Sequence, residues 1–551
     1  MIYILLCLPV ISVALHKLAG VFLQAKVAHR CRLPNEYHDT SFNLSDFNLT
    51  MILPKDEVTG NPSTCRILDT NFSSEYFASG VPANQSISCN DWIFDPENEI
   101  NVTKSVKRDL ICRKQIYLNF SNWMAATSDS LLMVGILIGS YVFGDLADRY
   151  GRRPIFFISL VMLVAFGVLA GFAPDIWTFS ALRLLIGAAT TGVFLVAYVL
   201  ALEMVGPSKR MVAGVCNQLF FTAGFLFTAV FAYYFPNWRH LEIAISLPTI
   251  LFLSYWWFIP ESTRWLLLQG RKEEAKEIIL KVAKENKVSL SPETLDDFLK
   301  KDDLPDDTKE QKRPSALDLM RHANLILCFC RFVNSGAYYG LSWNTSSLGG
   351  NPYLNFVLSG LVEIPAYCFL LVTLNRWGRR TILSGCMIAG GLALIATMFP
   401  QEGSSSAWLI FFAMLGKLAL AASYSTVYVF SAEQFPTVVR NVGMGVSSTV
   451  ARFGSIAAPY INILGEVWRP LPFIIFGSFA LSAGALALLL PETHNKDLPD
   501  SIADGENLES KTLYLDFFLL IRFQKRFCLF CIIRNRYFAL ILFIFHQKSK
   551  R

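Results

Sequence analysis

Twelve apolar runs, each long enough to cross a lipid bilayer, dominate the sequence. A membrane-spanning helix needs about 20 mostly apolar residues, because lipid offers no partner for an unpaired backbone hydrogen-bonding group. The predicted spans, numbered 1 to 12 in chain order, are 1–23, 124–144, 154–173, 177–202, 211–235, 240–259, 323–342, 353–374, 381–399, 406–431, 441–464 and 470–490. The fold class that they predict is an all-α polytopic membrane protein with the lipid bilayer as its solvent.

The composition excludes a large soluble protein. Only 17% of the residues are charged and 53% are hydrophobic, whereas about 25% of a soluble chain is normally charged. The net charge of +6 comes from Lys and Arg scattered over short loops, which does not favour nucleic acid as a partner. The first run could be a cleaved signal peptide, but no basic segment precedes it, so we expect an intact membrane anchor.

Basic residues mark one side of the predicted helical bundle. Short cytoplasmic loops retain Lys and Arg, and this sequence concentrates them in the loops after spans 2, 4, 8 and 10: Arg149, Arg152, Arg153, Lys209, Arg210, Arg376, Arg379, Arg380 and Arg440. The opposite short loops offer only Arg239 and Arg469. The pattern predicts a multi-pass plasma-membrane protein with both termini in the cytoplasm.

The long segment 24–123 then lies outside the cell, and its chemistry agrees with that side. It holds six acceptor sequons for N-glycosylation, at Asn43, Asn48, Asn71, Asn84, Asn101 and Asn119. A seventh, Asn344, follows span 7. The segment also holds four cysteines, Cys31, Cys65, Cys89 and Cys112. They predict two disulfides in an oxidising compartment, with three connectivities open.

The two halves of the chain repeat one turn. It is GDLADRYGRR (Gly144–Arg153) after span 2 and NRWGRR (Asn375–Arg380) after span 8. Duplicated six-helix halves around a central cavity are a known transporter plan. The predicted organisation is span 1 (1–23), an extracellular loop (24–123), spans 2–6 (124–259), a cytoplasmic linker with short amphipathic helices (260–322), spans 7–12 (323–490) and a cytoplasmic tail (491–551).

Longer motifs point to a family. GDLADRYGRR resembles the signature turn of the major facilitator superfamily. The segment PESTRWL (Pro260–Leu266), after span 6, resembles the sugar-porter and organic-ion branches of that superfamily. Four further segments resemble the organic cation, carnitine and organic anion transporter family. They are YYGLSWNT (Tyr338–Thr345), VEIPAY (Val362–Tyr367), SAEQFPTVVRNVGMG (Ser431–Gly445) and PETHNKDLP (Pro491–Pro499). The resemblance runs from about residue 1 to residue 507 and implies the major facilitator fold, with two pseudo-symmetric six-helix bundles.

Two features depart from that family. Its members usually begin with a short amphipathic segment before span 1, whereas Met1 opens directly onto apolar sequence, so we expect a truncated start. Residues 511–551 resemble nothing in the family. A thirteenth helix there would place Arg534 and Arg536 in lipid at high cost, and we expect a mispredicted or alternatively spliced tail instead.

Charged residues inside membrane spans are costly, so each is a candidate for function. Glu363, Lys417 and Arg452 stand near the midpoints of spans 8, 10 and 11. Helical spacing places polar and aromatic residues on the same faces, and the substrate-binding candidates are Glu363, Lys417, Arg452, Arg331, Tyr198, Tyr338, Tyr339, Tyr424 and Tyr428. Two alternatives stay open: each tyrosine has a packing role, or Glu363 pairs with Lys417 or Arg452 to lock the bundle.

The charge balance of these three residues indicates the substrate class. One acid and two bases suit a small organic ion with both a carboxylate and an ammonium group, since aromatic rings bind ammonium and arginine binds carboxylate. The resemblance supports carnitine-like zwitterions or organic cations, because arginine at position 452 is similar to the carnitine and anion branches and VEIPAY to the cation and carnitine side. An organic anion exchanger is the alternative. Coupling to Na⁺ or H⁺ stays open, and we expect no metal or other cofactor.

The duplicated turns supply a second group of candidates. Ion pairs that break on opening are a known gating device, and we expect such pairs between the first turn, with Asp148, Arg149, Arg152 and Arg153, and the glutamates Glu203 and Glu433. The resemblance implies this gating role for the first turn, and the same role for Arg376, Arg379 and Arg380 of the second turn. The alternative is that these charges only set topology. No catalytic motif is present, and His16, His240 and His322 are isolated along the sequence, so we do not expect an enzyme. A glycosylated receptor is the remaining alternative, and the sequence leaves the oligomeric state open.

Overall fold

The computed structural model describes residues 2–23, 29–31, 52–54, 66–70, 85–89, 92–94, 118–206, 210–285, 322–399, 406–435 and 440–493. Several predictions fall outside these ranges. They concern the sequons at Asn43, Asn48, Asn71, Asn84 and Asn101, the cysteines Cys65 and Cys112, the linker from 286 to 321, and the tail from 494 onwards.

Helices occupy all twelve predicted spans. In the first half, span 1 consists of Ile2–Cys7, Pro9–Leu18 and Gly20–Leu23; spans 2 to 5 are Leu118–Tyr150, Arg152–Gly171, Ile176–Glu203 and Arg210–Tyr234; span 6 is Trp238–Ser246 and the 3₁₀ helix Leu247–Trp257. In the second half, span 7 is His322–Trp343, span 8 is Pro352–Leu361 and Glu363–Trp377, and spans 9 to 12 are Arg379–Ala396, Ser406–Gln434, Arg440–Ile463 and Leu471–Ala487. The linker contributes the helices Thr263–Leu268 and Lys272–Glu285.

Among the described residues, eight of these helices are long and apolar enough to cross a membrane by themselves. The remaining four spans depart from that standard in identifiable ways. Span 6 changes to a 3₁₀ helix partway, span 12 has only 17 residues, and spans 7 and 11 contain Arg331 and Arg452. A helix that lines a polar cavity needs less apolar surface than one that faces lipid on every side.

The two halves meet along two pairs of helices. Span 2 packs on span 11, and span 5 packs on span 8. The duplication makes span 8 the counterpart of span 2, and span 11 the counterpart of span 5, so these two contacts are equivalent. Within each half, glycines allow helix backbones to approach closely: a Cβ atom on Gly135 or Gly454 would collide with the backbone of the neighbouring helix.

The two ends of the bundle differ in sequence and structure. One end carries the duplicated turns at Gly151 and Gly378, and we call it the turn end. The other carries the segment 24–117, and we call it the loop end. At the loop end, β1 (His29–Cys31) pairs antiparallel with β4 (Trp92–Phe94), and β2 (Arg66–Leu68) pairs with β3 (Ser86–Ser88).

A disulfide joins Cys31 to Cys89 in this segment. It satisfies one of the three connectivities that the four cysteines allow. The bond links the residue that ends β1 to the residue directly after β3, so it ties the two small sheets together.

Two polar residues at the loop end have clear local roles. The Asp175 carboxylate caps span 4 by accepting a hydrogen bond of 2.7 Å from the Thr178 N–H, and hydrogen bonds from Thr178 lower the pKa of Asp175. The Asn344 side chain is only 8% exposed and accepts a hydrogen bond from the Ser347 hydroxyl. The seventh sequon is therefore not accessible to a glycosyl donor in this conformation.

Candidate functional site

A buried carboxylate lies where span 8 is interrupted. The first helix of this span ends at Leu361 and the second begins at Glu363, because Pro365 has no N–H to donate to the Leu361 carbonyl. Glu363 is fully buried. The break places its side chain among polar groups from several helices.

Four side chains satisfy this carboxylate. Lys417 Nζ lies 3.2 Å from Oε1 and the Tyr338 hydroxyl donates to the same oxygen over 2.7 Å. The Thr222 hydroxyl donates to Oε2 over 3.0 Å, and the Tyr367 hydroxyl donates to it over 3.5 Å. Thr222 belongs to span 5, so this cluster joins the first half of the chain to the second.

Lys417 is held as firmly as its acid. Its Nζ donates to the Ser342 hydroxyl and, over 3.3 Å, to the Tyr338 carbonyl. The same nitrogen lies 3.5 Å from the ring centre of Tyr338 and 5.8 Å from that of Phe225. Of the two pairings that the sequence left open for Glu363, the structure contains the one with Lys417. The ammonium and the carboxylate neutralise each other, and their attraction, together with the surrounding hydrogen bonds, offsets part of the cost of burying both.

The predicted aromatic faces of spans 7 and 10 meet. The rings of Tyr338 and Tyr424 stack with centres 4.8 Å apart, while Tyr338 and Tyr339 lie edge to face at 5.3 Å. Tyr428 lies one turn beyond Tyr424, and their hydroxyls are 3.4 Å apart. Four of the predicted tyrosines therefore form one cluster beside the Glu363–Lys417 pair.

Arg452 faces this tyrosine cluster from span 11. Its guanidinium interacts with the hydroxyls of Tyr339, Tyr424 and Tyr428. No carboxylate of the described residues lies within ion-pair distance of it. A half-buried guanidinium with hydroxyl neighbours retains its charge and its capacity to bind a planar carboxylate with two hydrogen bonds.

Arg331 of span 7 lies nearby and is only 2% exposed. Its Nη1 donates to the hydroxyls of Ser447 and Ser448 at 2.8 and 3.1 Å, and its guanidinium lies 4.2 Å from the ring centre of Tyr428. Its Nε and Nη2 have no hydrogen-bond partner in the part of the chain that the structure describes. Arg331 therefore adds a second positive charge beside the tyrosines.

Span 4 presents a matching aromatic pair from the first half. Phe194 and Tyr198 stack with ring centres 6.1 Å apart. They precede Glu203 by nine and five residues, as Tyr424 and Tyr428 precede Glu433 in span 10. Tyr198 and Tyr428 influence each other electrostatically. The predicted tyrosines of both halves therefore lie in the same region, where the halves meet.

Lys17 of span 1 was not among the predicted site residues. Its side chain is 4% exposed, with Nζ 5.2 Å from the ring centre of Phe194 and 5.9 Å from that of Phe221. A lysine two turns from the end of an apolar run is usually interpreted as one whose side chain reaches the membrane surface. For this reason the sequence did not indicate a buried role for Lys17. The region where the two halves meet thus contains four bases, Lys17, Arg331, Lys417 and Arg452, and the acid Glu363.

Two further buried pairs also escaped the sequence analysis. His16 Nδ1 lies 3.3 Å from Glu242 Oε1, so His16 is not isolated in the structure, although it is isolated along the sequence. Arg183 of span 4 pairs with Asp129 of span 2. Each pair joins two helices of the first half. Its two members are far apart in the sequence, so no local pattern indicated that they pair.

At the turn end, the first half contains its own ion-pair cluster. Arg152 Nη2 lies 3.3 Å from Asp148 and 3.2 Å from Glu203. The Glu261 carboxylate accepts the backbone N–H groups of Arg152 and Arg153 at 3.0 and 3.2 Å, which caps span 3. The Ser262 hydroxyl donates to Glu203. Arg153 itself stacks on Trp256, 4.5 Å from its ring centre.

The second half repeats this arrangement. Arg379 Nε lies 3.0 Å from Glu433, and the Glu492 carboxylate accepts the backbone N–H groups of Arg379 and Arg380 at 2.8 and 3.1 Å. The Thr493 hydroxyl donates to Glu433 over 2.6 Å. Glu261 and Glu492 were missed as site residues, although the motifs PES and PET after spans 6 and 12 carry them.

The placement of the predicted gating residues needs two corrections. The sequence grouped Glu203 and Glu433 with one set of arginines, whereas each glutamate pairs with the arginine of its own half. Arg149 pairs with Asp145 at the surface, with 70% of its side chain exposed, and Arg376 is exposed too. Each of the two turns therefore brings only some of its charges inward.

The contacts that join the two halves concentrate toward the loop end. Phe22 stacks on Tyr353 at 5.3 Å and meets Phe356 at 4.8 Å, and Trp343 Nε1 donates to the Lys17 carbonyl over 3.3 Å. Also at the loop end, but between spans 2 and 11, the Thr127 and Tyr460 hydroxyls are 3.2 Å apart. A further contact, between the Tyr141 and Thr449 hydroxyls at 3.0 Å, lies closer to the turn end.

Comparison with known proteins agrees with this architecture. Residues 79–501 match the family described as "Sugar (and other) transporter". The chain is 50% identical over 522 residues to the Organic cation transporter protein of Drosophila melanogaster, covering 93% of this chain and 92% of that one. It is 35% identical over 522 residues to the Organic cation/carnitine transporter 2 of Homo sapiens, covering 91% and 90%.

Solved structures support the fold independently. The inward open conformation of the xylose transporter XylE from E. coli superposes with a TM-score of 0.59 at 13% identity, covering 92% of this chain and 100% of that one. A likeness at this low identity establishes the fold, which is that of the major facilitator superfamily. The chain belongs to the sugar (and other) transporter family of this superfamily and, within it, to the organic cation, carnitine and organic anion transporters.

Proposed function

We propose that the chain moves small zwitterionic organic ions of the carnitine type across the plasma membrane by alternating access. The family makes it a membrane transporter of organic ions and not an enzyme. The observation that carries the choice of zwitterion is that Lys417 neutralises Glu363, while Arg452 has no carboxylate partner among the described residues. A substrate carboxylate supplies that partner.

The aromatic cluster supports the other end of the substrate. An ammonium group gains about 0.5–2 kcal/mol from each ring face that it approaches. Tyr339, Tyr424 and Tyr198 border the same space as Arg452. A zwitterion of a few ångströms places its ammonium group against these rings and its carboxylate at Arg452.

The proposed orientation places the turn end in the cytoplasm, because the basic residues concentrate there. The segment 24–117 is then extracellular and N-glycosylated, and Asn119 lies at the start of span 2 on the same side. The aromatic contacts at the loop end close the outer side, so the conformation is inward-facing. The two clusters around Glu203 and Glu433 are proposed to change partners when the inner side closes.

A second candidate substrate class is simple organic cations. The 50% identity to a protein named as an organic cation transporter favours it. An organic cation meets the same rings but has no partner for Arg452, and it is repelled by the excess of basic side chains. Organic anion exchange is the third candidate, and the four bases around the site favour it over the cation.

Uptake by cells that express the chain tests the proposal. Labelled carnitine, tetraethylammonium and an aromatic carboxylate are compared, with and without sodium, in the wild type and in Arg452→Gln. We expect saturable carnitine uptake that Arg452→Gln reduces at least tenfold at low concentration, since a charge-assisted hydrogen bond contributes about 1.5–3 kcal/mol. Preference for tetraethylammonium, with carnitine uptake unchanged in Arg452→Gln, would overturn the zwitterion proposal.

A further inference from the structure

Lys17 is a basic residue of span 1 that is buried beside aromatic rings. Its side chain is 4% exposed, and no carboxylate of the described residues lies within ion-pair distance of its Nζ. The rings of Phe194 and Phe221 lie near this nitrogen, with their centres 5.2 and 5.9 Å away. Ring faces recover only part of the hydration that a buried ammonium loses. The site therefore favours an anion.

The position of Lys17 is fixed by both halves of the chain. It lies in Pro9–Leu18 of span 1, and its own carbonyl accepts a hydrogen bond of 3.3 Å from Trp343 of span 7. Its neighbour His16 points the other way, toward Glu242 and Ser246 of span 6. The helix thus directs Lys17 toward the space between the halves and His16 into the first half.

Lys17 of the first half and Arg452 of the second are linked through two aromatic side chains of span 7. The Lys17 carbonyl accepts from Trp343, whose ring centre lies 5.6 Å from that of Tyr339. The Tyr339 hydroxyl in turn hydrogen-bonds to Arg452, and the two basic side chains repel each other electrostatically. Glu363 does not relieve this repulsion, because Lys417, Tyr338, Thr222 and Tyr367 occupy its oxygens. One monovalent anion between the two cations would be attracted by both.

We propose that Lys17 and Arg452 form an anion-binding subsite between the two halves, and that the carboxylate of the transported substrate occupies it. This inference rests on the proposed function, to which it adds Lys17 as a residue that determines specificity. Because one cation comes from each half, a bound carboxylate replaces repulsion between the halves with attraction to both. The loaded carrier is therefore better able to close around its substrate than the empty one.

The test uses the full-length protein in proteoliposomes and two probes that differ at one end. Carnitine carries a carboxylate, and carnitinamide carries an uncharged amide of nearly the same shape. Initial uptake rates give KM for both probes in the wild type, Lys17→Met, Lys17→Arg and Arg452→Gln. Lys281→Met, at an exposed lysine of the linker, is the matched control.

We expect Lys17→Met to raise KM for carnitine about tenfold, the effect of losing one charge-assisted interaction. The same variant should lower KM for carnitinamide, because a cation that repels its ammonium group has been removed. Lys17→Arg should keep the wild-type preference, and Lys281→Met should match the wild type. Opposite shifts for the two probes are not expected from a lysine that only packs.

Three results would overturn the role of Lys17. The first is an unchanged KM for carnitine in Lys17→Met while Arg452→Gln raises it, which would leave the proposed function intact. The second is an equal rise for both probes. The third is that carnitinamide uptake depends on chloride, which is tested by replacing chloride with gluconate, and that Lys17→Met abolishes this dependence. Chloride, and not the substrate carboxylate, would then be the anion bound at Lys17. If the wild type does not distinguish the probes and Arg452→Gln affects neither, the proposed function itself fails.

Discussion

At the residue scale, Glu363 and Lys417 differ from the other charged residues of the site because each is the ionic partner of the other. Both side chains are almost fully buried, and each has hydrogen-bond partners besides the other. Removing one member of such a pair leaves an uncompensated charge, whereas removing both leaves none. Arg452 and Lys17, by contrast, have no acid beside them in the described part of the chain.

Lys417→Met is therefore expected to destabilise the folded protein by about 3–5 kcal/mol. The measurement is the melting temperature of the purified protein in detergent. The double variant Lys417→Met with Glu363→Gln should be more stable than the sum of the single effects indicates, because the stranded carboxylate is gone. Lys281→Met serves as the exposed control. A melting temperature for Lys417→Met equal to that of the control would contradict this account of the pair.

At the scale of elements, the two glutamates that follow spans 6 and 12 hold the starts of spans 3 and 9. Each carboxylate accepts backbone N–H groups at the first turn of a helix, where the helix dipole favours a negative charge. The adjacent Ser262 and Thr493 bind Glu203 and Glu433, which in turn bind Arg152 and Arg379. In each half, the short motif that follows span 6 or 12 thus binds the start of span 3 or 9 and the end of span 4 or 10.

Glu492→Gln should weaken this cluster, since an amide oxygen accepts the same hydrogen bonds without the charge. We expect a loss of about 1–3 kcal/mol of stability, measured as a lower melting temperature. Transport should also slow, with a smaller change in KM than in the maximal rate, because the cluster lies away from the substrate site. Glu274→Gln, in an exposed pair with Arg271, is the matched control. Equal behaviour of the two variants would argue against a special role for Glu492.

Gly378 makes the same turn possible. Its φ is +85°, and a Cβ atom there would collide with the Glu492 carboxylate. Gly378→Ala should therefore cost about 1–3 kcal/mol. Gly385→Ala, seven residues later in span 9, meets open space and should be neutral or slightly stabilising. Comparison of the two melting temperatures checks the prediction, and a neutral Gly378→Ala would show that the turn relaxes easily.

At the scale of the whole molecule, the two halves contact each other mainly at the loop end, while each turn-end cluster uses residues of its own half. This arrangement predicts that linking the halves at the loop end blocks transport. Thr127→Cys with Tyr460→Cys places thiols where two hydroxyls now lie 3.2 Å apart. A short bifunctional thiol reagent should stop uptake by this variant and leave each single-cysteine variant active. Undiminished uptake by a fully cross-linked carrier would contradict alternating access.

The fold could be predicted from the sequence because lipid imposes a length and an apolar composition on every span. The convergence of Tyr338, Tyr424 and Lys417 could also be predicted, because helical spacing places residues on a face. The partner of Glu363, the burial of Lys17 and the pairing of His16 with Glu242 depend on how helices distant in sequence are rotated toward each other. No local pattern carries that information, which is why these contacts required the structure.

The most direct test of the central claim is counterflow of labelled carnitine in proteoliposomes that contain only the purified protein. Vesicles loaded with unlabelled carnitine are diluted into a trace of the label. We expect a transient accumulation of label that saturates with substrate and is at least tenfold smaller, at low concentration, in vesicles with Arg452→Gln. No accumulation above that of protein-free vesicles, with the protein folded and correctly inserted, would contradict that claim.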